Sequence, residues 1–180
     1  MHTTESAPAF SYACGMISAK LSRGERVLLQ DVSFSLSSGQ RLAVIGETGS
    51  GKTMLALSIL GLLPANVRMQ SGCIQMDGDA LPSGKQLQTL RGDKLVYIPQ
   101  NGAEFLLSTR TVRKQLYDTL KKLGLPRKEF PASAAEKLRL AGFDAPETIL
   151  DKYPFQLSGG MAQRVTITLA ACSRARLLIA

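Results

Sequence analysis

The octet Gly46-Glu47-Thr48-Gly49-Ser50-Gly51-Lys52-Thr53 has the spacing G-x-x-x-x-G-K-[ST], whose residue types suit a polyphosphate. Gly46, Gly49 and Gly51 carry no Cβ, so the backbone can take positive φ and wrap closely around phosphate oxygens. Successive N–H groups then point inward as an anion nest, with the positive end of a helix behind them. Lys52 adds a compact cation able to reach terminal phosphates, and the Thr53 hydroxyl is placed to ligate a magnesium ion bridging them. The bland alternative is an ordinary glycine-rich turn with an exposed lysine. The flanking residues decide against it, because a strand must feed this loop and a helix must leave it. Leu42-Ala43-Val44-Ile45 reads as a strand buried on both faces, and Met54 to Leu60 as a helix closed by Gly61 and Pro64.

A second group is Leu157-Ser158-Gly159-Gly160-Met161-Ala162-Gln163-Arg164. Ser158 is an N-cap, and the helix it opens has Met161, Val165, Leu169 and Cys172 on one apolar face. Free N–H groups at that helix start, with two glycines that let a ligand approach, make a second anion site. A plain capped helix is the competing reading. Other chemistry is thin: the only histidine is His2, in the terminal segment. Cys14, Cys73 and Cys172 are odd in number and far apart, which argues for buried free thiols rather than a disulfide framework or zinc site.

Around these groups the chain reads as α/β. A first edge strand is expected around Met16-Ile17 within residues 11–21. Val32 to Leu36 alternates apolar and polar as a half-buried strand, and Ser37-Ser38-Gly39 turns the chain. Gly72 to Met76 is a short strand ended by Asp77-Gly78, and Leu95 to Ile98 a buried strand stopped by Pro99. Beyond Gln100 the period becomes helical: Val112, Leu116, Leu120 and Leu123 share a face that ends at Gly124 and Pro126. A second helix is expected from Ser133 to Gly142 and a third from Pro146 to Lys152.

The hydrophobic share of 44% and charged share of 20% are those of an ordinary globular protein of 180 residues. No apolar run approaches the ~20 residues that cross a bilayer, and the start lacks a signal peptide, so a cytoplasmic location is expected. The net charge of +8 gathers partly at Arg110, Arg113, Lys114, Lys121, Lys122, Arg127 and Lys128. No aromatics interleave there for base stacking, so a solvated helix face is favoured over a surface for anionic lipid or an acidic partner.

Taken together, the chain from about Met16 to Ala180 resembles the ATP-binding subunits of ATP-binding-cassette (ABC) transporters. Gly46 to Thr53 matches that family's Walker A, Leu157 to Gln163 is similar to its LSGGQ-type signature, and Gln100 sits where it has a Q-loop glutamine. Tyr153 to Arg164 and Gly61-Leu62-Leu63-Pro64 look like the branch importing oligopeptides, dipeptides and nickel. The resemblance implies a P-loop NTPase core with an antiparallel β edge and an inserted helical subdomain. It implies residues 1–100 as nucleotide-binding core, 101–156 as helical subdomain, and 157–180 as signature helix and start of the Walker B strand.

It further implies that Gly46, Glu47, Thr48, Gly49, Ser50, Gly51, Lys52 and Thr53 hold one ATP, with Thr53 and Gln100 on Mg2+. Ser158, Gly159 and Gly160 would contact the terminal phosphate of the ATP on a second ABC ATPase subunit, head to tail. The other implied partners are integral membrane permeases and, indirectly, an extracytoplasmic substrate-binding protein, at the inner face of the cell membrane. Nucleic acid is not expected, because the DNA-associated ATPases of this superfamily carry long coiled coils and no sustained heptads occur here.

Two departures stand out. Where the family stacks an aromatic on adenine this chain offers Leu21, with Tyr12 or Phe10 as substitutes in another register. Leu177-Leu178-Ile179-Ala180 looks like the Walker B strand, with none of the family's following aspartate, glutamate and switch histidine. Glu47 faces solvent or the loop rim and replaces neither acid. A chain truncated there is expected to bind ATP without turning it over, so a non-hydrolysing module or a non-functional fragment is the alternative.

Overall fold

The computed structural model describes residues 11–21 and 27–180, with side chains described from Val27 onward except Asp31. The chain forms two compact units, Met1–Thr89 and Leu90–Ala180.

The first unit is built on an antiparallel sheet. Strand β1 (Ser11–Leu21) pairs with β2 (Val27–Ser37) along one side and with β3 (Val67–Ser71) and β4 (Ile74–Met76) along the other. Strand β5 (Asp79–Ala80) lies outside β4 across the Asp77-Gly78 turn, whose two residues both take positive φ, as a tight hairpin requires. In β2 the expected alternation is present: Val32, Phe34 and Leu36 are half-buried while Ser33 and Ser35 are exposed. Helix α1 (Lys52–Ile59) buries Leu55 and Ile59, and α2 (Gly84–Leu90) buries Leu87.

Two expectations for this unit are corrected. Strand β1 is interior rather than an edge, because its partners come from residues 27–37 and 67–76, which a local pattern cannot announce. Arg41 to Ile45 forms no strand, and Ile45 is 93% exposed with Leu42 and Val44 near half-exposed. A strand exists only by pairing, and no described strand pairs with this segment.

In the second unit, β6 (Leu95–Tyr97) runs parallel to β7 (Leu177–Ile179), and the Ile98 N–H extends the ladder to the Ile179 carbonyl at 2.7 Å. Between them come α3 (Gly102–Phe105), α4 (Val112–Lys122), α5 (Phe130–Leu140), α6 (Pro146–Leu150) and α7 (Gly159–Ala171). The predicted stripe on α4 is the heart of the core: Val112, Leu116 and Leu120 are fully buried against Leu138, Phe143, Ile149 and Val165. Helix α7 shares this core through Ala162 and Val165, and Cys172, at its C-cap, is buried there too. Helix α5 starts at Phe130, earlier than Ser133. A 3-10 turn at Arg127–Glu129 leads into it, Phe130 is buried, and Pro131 sits in the first turn, where its missing N–H costs nothing.

The basic segment is solvated and partly paired. Arg110 pairs with Asp118, and Arg113 donates to Asp151 at 2.8 Å, holding that carboxyl below its usual range. Lys121 and Lys122 lie exposed in the last turn of α4, where the helix dipole favours cations. The cysteines divide: Cys172 is buried, whereas Cys73 is exposed, against the expectation of buried thiols. A cysteine at the Gly72-Cys73 entry to a three-residue strand has no packed layer over it. The side chains of Cys14, Leu21 and Tyr12, and all of His2 and Phe10, lie outside the described residues.

Candidate functional site

The Gly46–Thr53 loop lies in the first unit, between the exposed Arg41–Ile45 segment and α1. Its start is pinned by its own lysine. The Lys52 ammonium donates to the Gly46 carbonyl at 2.7 Å and the Glu47 carbonyl at 2.6 Å. Two carbonyls of the loop rim are thereby turned onto the cation, which leaves the N–H side of the loop for an anion. The Ser50 N–H donates to the Glu47 carbonyl at 3.2 Å and tightens the tip. The Glu47 side chain is exposed, as read from its position.

Gly51 caps α1 at φ 97°, and Gly49 sits at φ 84°, both in the left-handed region that glycine tolerates. Gly51 is also a close approach. A Cβ there would lie 2.8 Å from Leu29 Cδ2 and 3.0 Å from the Leu28 carbonyl oxygen, so the helix start rests directly on β2. Helix α1 has no acidic residue in its first turn and no side-chain cap, so its N-terminal donors are open to a ligand. Thr48, Gly49, Ser50 and Thr53 are exposed.

Gln100 and the Ser158 helix start both belong to the second unit. Gln100 is exposed, in a turn whose flanks are tied to α7. Gln163 Nε2 donates to the Pro99 carbonyl at 3.3 Å and Thr166 Oγ1 to the Gly102 carbonyl at 2.9 Å. Ser158 Oγ accepts from the Met161 N–H at 3.3 Å, an N-cap as predicted. Ser158, Gly159 and Gly160 are exposed, and nothing lies within 4 Å of where a Cβ on either glycine would stand. The start of α7 is therefore an open platform of unpaired N–H groups. Arg164 braces it from behind, donating to the Gly142 carbonyl at 2.6 Å and lying 4.3 Å from the Phe143 ring centroid.

What sequence reasoning passed over is the tie between the Gln100 turn and α7, made by Gly102, Thr166 and Gln163, the last named only as part of the signature-like stretch. The only hint of it was the three-residue spacing of Gln163 and Thr166 on one helix face. The residues of the loop fit a magnesium–nucleotide complex in chemistry. The N–H nest and Lys52 would hold phosphates, and the exposed Thr53 hydroxyl would serve as a ligand for a hard cation. Among the described residues no cluster of three His, Cys, Asp or Glu side chains could hold a metal by itself.

The glycine loop and antiparallel sheet of the first unit, and the serine-capped helix within the helical layer of the second, are parts of a P-loop NTPase fold of the cassette type. Residues 29–180 match the ABC transporter family, and the chain belongs to it. It is 36% identical over 159 residues to the metal-staphylopine import system ATP-binding protein CntD of Staphylococcus aureus, covering 87% of this chain and 58% of that protein. It is 37% identical over 168 residues to the oligopeptide transport ATP-binding protein OppD of Bacillus subtilis, covering 91% of this chain and 47% of that one. The chain thus spans about half the length of these curated relatives. In fold it matches the dimeric post-hydrolysis state of the ATP-binding cassette MJ0796 bound to ADP and Pi, with TM-score 0.77 at 22% identity, over 93% of this chain and 72% of that one. Among the described residues no helix is long and apolar enough to cross a membrane.

Proposed function

We propose that this chain is the nucleotide-binding part of an ABC importer subunit of the peptide and nickel branch, driven by ATP-dependent closure of two such subunits. One observation carries the reading. The same chain holds a lysine-pinned glycine loop and an open, serine-capped helix start, two anion sites of different build. Gly46 to Thr53 would grip one ATP, with Thr53 and Gln100 on Mg2+. Ser158, Gly159 and Gly160 would face the terminal phosphate of the ATP held by a partner subunit. The metal, when bound, neutralises charge between the terminal phosphates.

ATP bridging two chains favours the closed pair by its differential affinity for that state. Residues 101–156 would form the helical subdomain that meets the permease, between a core of residues 1–100 and the signature segment 157–180. The partners we assign are a second ABC ATPase subunit, integral membrane permeases and, indirectly, an extracytoplasmic binding protein, with the subunit peripheral on the cytoplasmic face. The relatives named for metal-staphylopine and oligopeptide transport support an importer of such cargo. We assign ATP hydrolysis to the subunit as the activity of the family it belongs to.

The test is a fluorescent-ATP titration with magnesium, coupled to sedimentation with a complete partner subunit. Lys52→Ala should abolish binding and leave the circular dichroism spectrum intact. Ser158→Arg should keep single-site binding and lose ATP-induced pairing. Unchanged affinity in Lys52→Ala, or unchanged pairing in Ser158→Arg, would refute the respective half.

A further inference from the structure

Gln100 sits between two anchored carbonyls. Pro99, just before it, accepts from Gln163 Nε2 at 3.3 Å, and Gly102, two residues after it, accepts from Thr166 Oγ1 at 2.9 Å. Both donors stand on one face of α7, a turn apart. The approach is backbone to backbone: a Cβ on Gly102 would lie 2.6 Å from Gln163 Cα and 2.8 Å from its N. Asn101, within the turn, is committed to α3, its Oδ1 accepting from the Ala103 N–H and its Nδ2 donating to Glu104. Gln100 is thus exposed on a turn clamped from both ends by the helix that begins at Ser158.

Gln163 is a costly choice for packing alone. Its Oε1 is buried without a hydrogen-bond partner among the described residues, and an orphaned buried acceptor lowers stability. A methionine of similar length would fill the space without that orphan. What the amide supplies, and methionine cannot, is the donor to Pro99.

We propose that Gln163 is a positioning residue that locks the Gln100 turn to the helix start carrying Ser158. The two contact elements of this unit then answer nucleotide as one body. A signal at Gln100 is transmitted over the first turns of α7 with no intervening loop, since Gln163 lies five residues, roughly 7.5 Å of helix, beyond Ser158. This inference rests on Gln100 and Ser158 being the ligand contacts assigned above.

The test uses the full chain carrying Gln163→Met, which keeps bulk and deletes the donor, with Thr166→Val as a second variant for the other clamp. Amide hydrogen exchange over residues 98–106 should accelerate roughly five- to tenfold, the factor one hydrogen bond sets, and that over residues 130–140 should not change. The thermal midpoint should hold or rise. Magnesium–ATP affinity should fall by the same factor as in Gln100→Ala, with the double variant no weaker than Gln100→Ala alone. Unchanged exchange at 98–106 overturns the lock, as does a lowered midpoint with faster exchange throughout the unit, which marks a merely structural role. Accelerated exchange at 98–106 combined with full affinity in Gln100→Ala supports the lock and refutes the Gln100 ligand reading instead.

Discussion

Replacing Gly51 by alanine, with Gly49→Ala as its reference, separates the two demands the loop makes on its backbone. Both glycines have left-handed φ, 97° and 84°, which costs an alanine about 1–2 kcal/mol at either place. Both substitutions also stiffen the unfolded chain by about 0.4–1 kcal/mol, a gain that cancels in the comparison. The environments differ. A Cβ on Gly49 meets nothing within 4 Å, whereas one on Gly51 meets Leu29 Cδ2 at 2.8 Å and the Leu28 carbonyl oxygen at 3.0 Å. The leucine tip can turn aside, but the carbonyl belongs to β2 and moves only with the strand. Overpacking of this kind costs about 1–3 kcal/mol, so Gly51→Ala should be less stable than Gly49→Ala by that amount.

The assay is urea unfolding followed by circular dichroism, with fluorescent-ATP affinity measured on the same samples. Relief of the clash must lift the first turn of α1 off β2, which displaces the N–H groups presented to phosphate. Hydrogen bonds to a charged group are worth about 1.5–3 kcal/mol each, so affinity should fall at least about tenfold further in Gly51→Ala than in Gly49→Ala. Equal unfolding midpoints and equal affinities for the two variants would refute the close approach of this helix start to β2.

Leu116 is fully buried on α4 and Leu140 is 82% exposed at the end of α5. Leu116→Ala should therefore lower unfolding free energy by about 2–5 kcal/mol, and Leu140→Ala should change it by less than about 0.5 kcal/mol, read by urea titration. Thiol labelling with iodoacetamide at pH 8, mapped by mass spectrometry, should modify Cys73 within minutes. Cys172 should react only as the second unit unfolds, because burial pushes its thiol pKa up and denies the reagent access. Equal labelling rates for the two would contradict the packing of α7.

What the sequence announced, and what it hid, follows the range of the interaction involved. The glycine octet, the serine cap of α7, the alternation in β2 and the Val112-Leu116-Leu120 stripe are local patterns, and each appears where its period or spacing put it. Arg41–Ile45 has the composition of a buried strand, yet composition cannot supply a neighbour, and the segment stands exposed. Strand β1 reads as an edge for the same reason, since its second set of partners lies some fifty to sixty residues away. The start of α5 moved because one buried ring, Phe130, outweighed the helix signals that begin at Ser133. Of the site, the place of Lys52 at the end of the loop follows from the motif, but its hydrogen bonds to the Gly46 and Glu47 carbonyls are not announced by the spacing. Nor is the clamp on Gln100, because Gly102 meets Gln163 sixty-one positions along the chain.

The most direct measurement places cysteines on the two anion sites of different copies. Thr48→Cys and Gly159→Cys, both at exposed positions, would be made in separate chains whose Cys14, Cys73 and Cys172 are serine, then mixed and treated with a short bis-maleimide. Magnesium–ATP should produce a cross-linked pair of twice 19.4 kDa, absent without nucleotide and absent when the Thr48→Cys chain also carries Lys52→Ala. A cross-link that forms equally with and without ATP, or none at nucleotide concentrations that saturate the loop, would contradict two copies closing around ATP.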